Sequence, residues 1–79
     1  MSLKVIREVL EQHGRLPVGV ATLADDSDLY NAGLTSLATV GLMLALEDAF
    51  NVEFPETMLS RKTFESIQAI SEAVEELQK

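Results

Sequence analysis

The sequence predicts a small all-helical bundle of three main helices plus one short helix, with a long loop between the first and second main helices. Three observations carry this. Apolar residues recur at helical spacing near both ends and in the middle of the chain. No stretch alternates in the manner of a strand, and 79 residues leave room for one domain, spanning residues 1–79, with a single modest core.

The opening segment places Leu3, Ile6, Val9 and Leu10 at helical spacing, with Ser2 as candidate N-cap and Gly14 as the stop. Residues 15–35, RLPVGVATLADDSDLYNAGLT, hold Pro17, Gly19, an Asp/Ser cluster and Gly33, and read as a loop. Its Val18, Val20, Leu23 and Leu29 imply that it packs down against the helices. Connections beyond about 12 to 15 residues are uncommon in compact domains and are often functional. The central helix is expected over about residues 37–50, ended by Asn51, a residue that tolerates the left-handed conformation. In VEFPETMLSRKTF, Pro55 leaves room only for a short helical turn near residues 56–60. The last helix is expected over about residues 64–77, with Ile67, Ile70, Val74 and Leu77 on one stripe and glutamates on the other. Met43, Leu46, Phe50, Ile67, Ile70 and Val74 are the expected core.

The central helix is apolar on two sides. Leu37, Val40, Gly41 and Leu44 share one arc, while Thr39, Leu42, Met43, Leu46, Ala49 and Phe50 share roughly the opposite one. The second set is larger and is expected to face the core. The first is explained either by burial nearly all round in a tiny bundle or by an exposed strip that docks something, bordered by Glu47 and Asp48.

Composition removes several function classes. A net charge of -7, from 13 acidic and 6 basic residues, argues against nucleic acid and favours basic protein partners. One Tyr, three Phe and no Trp offer no aromatic platform for stacking bases or sugars. Without cysteine the chain has neither disulfides nor a thiolate of its own. No apolar run reaches the roughly 18 residues of a membrane span, and MSLKVIREVL lacks a signal-peptide core, so a cytoplasmic location is expected. Nothing in the pattern signals an oligomer, and a monomer is expected.

Catalysis by the chain itself finds little support. A nucleophilic triad could be imagined from Ser36, the single histidine His13 and the Asp25, Asp26, Asp28 cluster, but nothing in their spacing supports one. DDSDLYNAG lacks the closing glutamate of a calcium loop, so its acids are read as turn formers and no metal is expected. Ser36 on its own has an ordinary explanation, because Thr35 or Ser36 would serve as N-cap of the helix that follows.

The pattern around Ser36 changes that reading. In DLYNAGLTSLATVGLMLALEDAFNVEFP, residues 28–55, Asp28-Leu29 opens the stretch, Gly33 precedes the hydroxyl, and Ser36-Leu37 begins an apolar helix that closes on Leu46-Glu47 and Phe50. Over nearly its whole length the chain resembles the acyl carrier proteins. The resemblance implies that Ser36 carries a covalent 4′-phosphopantetheine, whose thiol holds an acyl or aminoacyl group as a thioester. It implies a protein that is not an enzyme but the substrate of a phosphopantetheinyl transferase, an acyl- or aminoacyl-loading ligase and a downstream acyltransferase. Partner docking then falls to Thr35, Leu37, Ala38, Val40, Gly41, Leu44, Glu47 and Asp48, joined by Arg61 from MLSRKTFESI, where Arg61 and Lys62 otherwise read as a solvated turn. Two departures stand out: Thr35 replaces the family's usual Asp, and Ala38 and Gly41 stand where acids are common. They favour a specialised carrier over housekeeping fatty-acid synthesis. The weakly charged docking helix, the small stand-alone format and overall similarity to aminoacyl carriers turn the expectation toward amino acid cargo loaded by a discrete ligase. The alternatives are a specialised acyl, polyketide or lipid carrier, and an unmodified helical interaction module. A polar aminoacyl group is expected to stay outside the bundle, since burying its ammonium unpaired is costly.

Overall fold

The computed structural model describes residues 2–79, the side chain of Ser2 excepted, so the expected Ser2 cap lies outside what is described. Four α-helices follow one another: α1 (Ser2–His13), α2 (Leu29–Ala32), α3 (Ser36–Phe50) and α4 (Ile67–Leu77). Short 3-10 turns occupy Val20–Thr22, Glu56–Met58 and Arg61–Phe64, and there is no strand among the described residues. The predicted all-helical class and its three long helices therefore hold.

Helix α1 packs against both α3 and α4. Ile6 and Leu10 meet Leu42 and Leu46 of α3 and Ile67, Ile70 and Val74 of α4 in one core, closed by Leu29, Leu34, Phe54 and Phe64. The rings of Phe54 and Phe64 lie 5.4 Å apart and tilted by 56°, a contact that joins the segment after α3 to the turn before α4.

Helix α1 stops at Gly14 for a reason of space. The Gly14 N–H donates to Leu10 O at 2.8 Å. A Cβ there would sit 2.6 Å from Leu10 Cδ1 and 2.7 Å from Leu10 O, so only glycine allows this close turn. The left-handed residue is the next one, Arg15, at φ 54°. At the far end of α3, Asn51 adopts the expected left-handed conformation at φ 53°, and its N–H donates to Glu47 O.

The long segment 15–35 is more ordered than the sequence suggests. Arg7 reaches from α1 to donate to Val20 O at 3.0 Å, to Leu23 O at 2.9 Å and to Asp25 Oδ1 at 2.7 Å. Glu11 adds an acceptor for the Val20 N–H at 3.2 Å. On the other side, Leu29 N donates to Glu65 O at 2.7 Å and Gln68 N to Asp25 O at 2.8 Å. Val20 and Leu29 are buried and Leu23 half-buried as expected, but Val18 is exposed. Within this supposed loop lies α2, capped by Asp28 Oδ1, which accepts from Tyr30 N at 3.0 Å and Asn31 N at 3.2 Å. Four helical residues are too few to show a period, so only the cap and Gly33 betray the element in the sequence.

Two further expectations shift. Helix α4 begins at Ile67 rather than near residue 64, because Ser66 Oγ caps it by accepting from Ala69 N at 3.0 Å. Phe64 belongs instead to the preceding 3-10 turn, which places it in the core at the spacing a helix would have. The core face of α3 is carried by Ala38, Leu42 and Leu46, while Met43 and Phe50 are half-buried at its margin and Ala49 is exposed. A helix that is apolar nearly all round does not fix its own rotation by periodicity.

Candidate functional site

The site forms where the chain turns from α2 into α3. Gly33 ends α2 at φ 121°, a conformation that L side chains rarely adopt, and its missing side chain leaves the space taken by Pro17: a Cβ would lie 2.5 Å from Pro17 Cδ. Leu34 then turns inward and is buried. Thr35 takes an extended conformation as N-cap of α3, and its Oγ1 accepts from Ala38 N at 3.0 Å. Thr39 strengthens the same turn by donating from N and Oγ1 to Thr35 O at 2.9 and 2.8 Å.

Capping therefore belongs to Thr35, not to Ser36. Ser36 is the first residue of the helix proper and is exposed, with no capping duty for its hydroxyl. Such a position suits an attached anion. The dipole of a 15-residue helix favours negative charge at this end, and the first-turn amides are those an intrahelical partner never reaches.

Beside Ser36 opens a groove of about 390 Å³ between α2, α3 and the turn at Arg61–Phe64. Its floor and walls include Tyr30, Val40, Met43, Leu59 and Phe64. Among the described residues Arg61 is the only charged one lining it, and its guanidinium carbon lies 4.2 Å from the centre of the Tyr30 ring. Tyr30 is held in turn by a long 3.5 Å hydrogen bond between its hydroxyl and Thr39 Oγ1. An exposed serine at a helix mouth, a half-open trough and a cation at its edge fit a phosphate-linked arm. Tyr30 and Leu59 are absent from the residues chosen by sequence reasoning. Only the rarity of Tyr30, the one tyrosine, marked it.

The other sequence-derived residues divide into three groups. Leu37, Val40, Gly41 and Leu44 form an exposed strip, with Leu37 85%, Val40 53% and Leu44 57% accessible. Large apolar side chains this open are unusual, which decides between the two explanations of the first arc in favour of an exposed face. Gly41 adds a flat spot, since a Cβ there would meet nothing within 4 Å. Asp48 is exposed at the end of the strip. Ala38 does not belong to this surface: it is buried against the core, and its docking assignment is corrected. Glu47 is half-buried and committed locally, its Oε2 accepting from Phe54 N at 2.8 Å, so it ties down the segment after α3 as much as it offers charge.

The triad is not assembled. His13 is exposed at the end of α1 and lines a separate groove with Thr35 and Leu37, in which Ser36 takes no part. Asp25 is paired with Arg7 and Asp28 caps α2. Among the described residues no cluster of three or more His, Asp or Glu could hold a metal ion, and no helix is long and apolar enough to cross a membrane.

Comparison with known proteins places this geometry. Residues 3–74 match the family model described as a phosphopantetheine attachment site. An aminoacyl carrier protein of Agrobacterium fabrum is 55% identical over 69 residues, covering 87% of this chain and 83% of that one. A D-alanyl carrier protein of Streptococcus pyogenes is 35% identical over 77 residues, covering 96% and 98%. Among solved structures, a carrier protein from Agrobacterium tumefaciens is similar at a TM-score of 0.90 and 52% identity, covering 92% of this chain and 97% of that one. It was seen in complex with AMP and an engineered Bradyrhizobium japonicum glycine:[carrier protein] ligase.

Proposed function

Because the chain belongs to the acyl carrier protein family, whose mark is a phosphopantetheine attachment site, we propose that Ser36 is the residue that bears this chain's 4′-phosphopantetheine and that its cargo is an amino acid. The observation that carries the assignment is the division of labour at the start of α3. Thr35 takes the capping bond, which leaves the Ser36 hydroxyl exposed and unengaged at the positive end of a long helix. When bound, the prosthetic group supplies the thiol, and hence the thioester, that a chain without cysteine lacks.

The chain's own residues position and present. Thr35 fixes the first turn of α3, Gly33 and Pro17 set the approach to it, and Leu37, Val40, Gly41 and Leu44 offer the partner an apolar surface. No residue of the chain performs bond chemistry. That falls to a phosphopantetheinyl transferase, a discrete ligase and a downstream acyltransferase, meeting a single monomeric carrier domain in the cytoplasm. Support for an amino acid as cargo comes from the 55% identical aminoacyl carrier protein and from the ligase complex of the 52% identical carrier. The absence of charge from Ser36 to Leu46 agrees with it, because a handle for enzymes that read acidic carriers is missing there.

Intact mass after incubation with coenzyme A and a broad-specificity phosphopantetheinyl transferase tests the first half. A single phosphopantetheine adduct that vanishes in Ser36→Ala is expected. A folded sample without an adduct refutes it. Offering the modified protein to ligases with glycine, alanine and fatty acids tests the second half, and loading with a fatty acid in preference to an amino acid refutes it.

A further inference from the structure

We propose that Arg61, laid over Tyr30, sorts the two ends of the arm on Ser36: it draws the anionic phosphodiester toward the groove and keeps the cationic amino group of the cargo out of it. The inference rests on the assignment of Ser36 and of an amino acid cargo.

Charge complementarity carries the first half. The guanidinium carbon lies 4.2 Å from the Tyr30 ring centre, so cation and ring hold each other in place. Arg61 enters neither ion pair found among the described residues, so its fork of N–H donors remains available for a phosphate. Arg61 and Ser36 line the same groove, and no carboxylate lines it to compete for the guanidinium.

The second half follows from what the groove offers an ammonium. Apolar Val40, Met43 and Leu59 give it no acceptor carboxylate, and entry would strip its water. The hydroxyls of Ser36, Thr39 and Ser60 offer it only neutral acceptors, and the face of Tyr30, the stronger attraction for a cation, is already covered by Arg61. Phe64, the other aromatic lining residue, is 2% exposed, with its ring packed toward Phe54. A neutral acyl group of the same size meets none of these penalties and gains contact with Val40 and Met43. An aminoacyl group is therefore displayed toward solvent, within reach of the partner that takes it.

The test compares holo protein loaded with glycine, with propionate, and with nothing, by NMR of the side-chain methyl groups of Val40, Met43 and Leu59. The propionyl group, which matches glycyl in size and lacks its positive charge, is expected to shift these signals relative to the unloaded form, and glycine is expected to leave them in place. In Arg61→Gln, whose melting temperature verifies the fold, the phosphorus resonance of the phosphodiester should move and glycine should now shift the methyl signals. The inference is overturned if both cargoes shift the methyls alike in the native protein, if neither does, or if Arg61→Gln changes nothing. Mass spectrometry separates this from failure of the parent reading: a missing adduct on Ser36 refutes the carrier assignment, whereas an adduct with no Arg61 effect refutes only the sorting role.

Discussion

Exchanging Thr35 and Ser36 for alanine, one at a time, should divide stability from modification between two adjacent hydroxyls. Thr35 Oγ1 accepts from Ala38 N at 3.0 Å, and Ala38 is only 9% exposed, so water is poorly placed to replace the lost acceptor. Removing an N-cap costs about 1 kcal/mol, within a range of about 0.5 to 2, and the shielded amide puts Thr35→Ala in the upper half. In a domain of this size each kcal/mol lowers Tm by about 4 to 8 °C. Ser36 is exposed at the first helical position and caps nothing, so Ser36→Ala should change stability by less than about 0.5 kcal/mol. Circular dichroism melts of the unmodified proteins measure the first effect, and intact mass after treatment with coenzyme A and transferase measures the second. Thr35→Ala should melt early yet accept the adduct, Ser36→Ala should melt normally without one, and Thr35→Asp should restore the cap. Equal loss of Tm in both alanine variants, or an adduct surviving in Ser36→Ala, would refute the assignment of these roles.

Three further outcomes are expected. Leu37→Glu or Val40→Glu should leave the melt within about 0.5 kcal/mol of the native protein, both side chains being exposed, while loading by a ligase falls; an equal loss of fold would return the strip to the core. Gly33→Ala forces a φ of 121° on a residue with a Cβ and drives that atom to 2.5 Å from Pro17 Cδ, so urea unfolding should show a loss of at least about 1 to 3 kcal/mol. Arg7→Ala removes three hydrogen bonds from a charged donor, and hydrogen exchange should speed up across Val20–Thr22 and at Gln68, whose amide depends on Asp25 O, with a stability loss of about 2 kcal/mol.

Helix α3 was legible because its uncharged, largely apolar run from Ser36 is unbroken until Glu47, and α1 and α4 because about three turns of amphipathic sequence repeat their signal. Ile67, Ile70 and Val74 show it, and all three are fully buried. Short elements were not. α2 spans one turn, and Asp28 and Gly33 were visible only as loop formers although they bracket it as cap and stop. Arg7 reads as surface charge in the sequence, since nothing local shows that the backbone from Val20 to Asp25 returns to it. The same limit misplaced Ala38, whose small side chain adds little to an apolar pattern yet sits in the core. At the candidate site, Ser36 stands out in the sequence through the pattern that frames it and through the resemblance that pattern carries, and its attachment role is the reading proposed above. The groove does not stand out, because Tyr30, Val40 and Arg61 come from three separate stretches that only folding brings together.

The uncharged run from Ser36 to Leu46 also sets how this protein meets its enzymes in time. Long-range attraction accelerates encounters only when opposite fields face each other, and such acceleration fades as salt shortens the Debye length to about 8 Å at physiological ionic strength. The first three turns of α3 provide no such field, and what steering there is comes from Glu47, Asp48 and the rest of a chain whose net charge is -7. If the proposed strip of Leu37, Val40 and Leu44 is what partners read, salt should act on encounter rates through the charge of the whole chain, while partners are distinguished by short-range fit and by how long they stay.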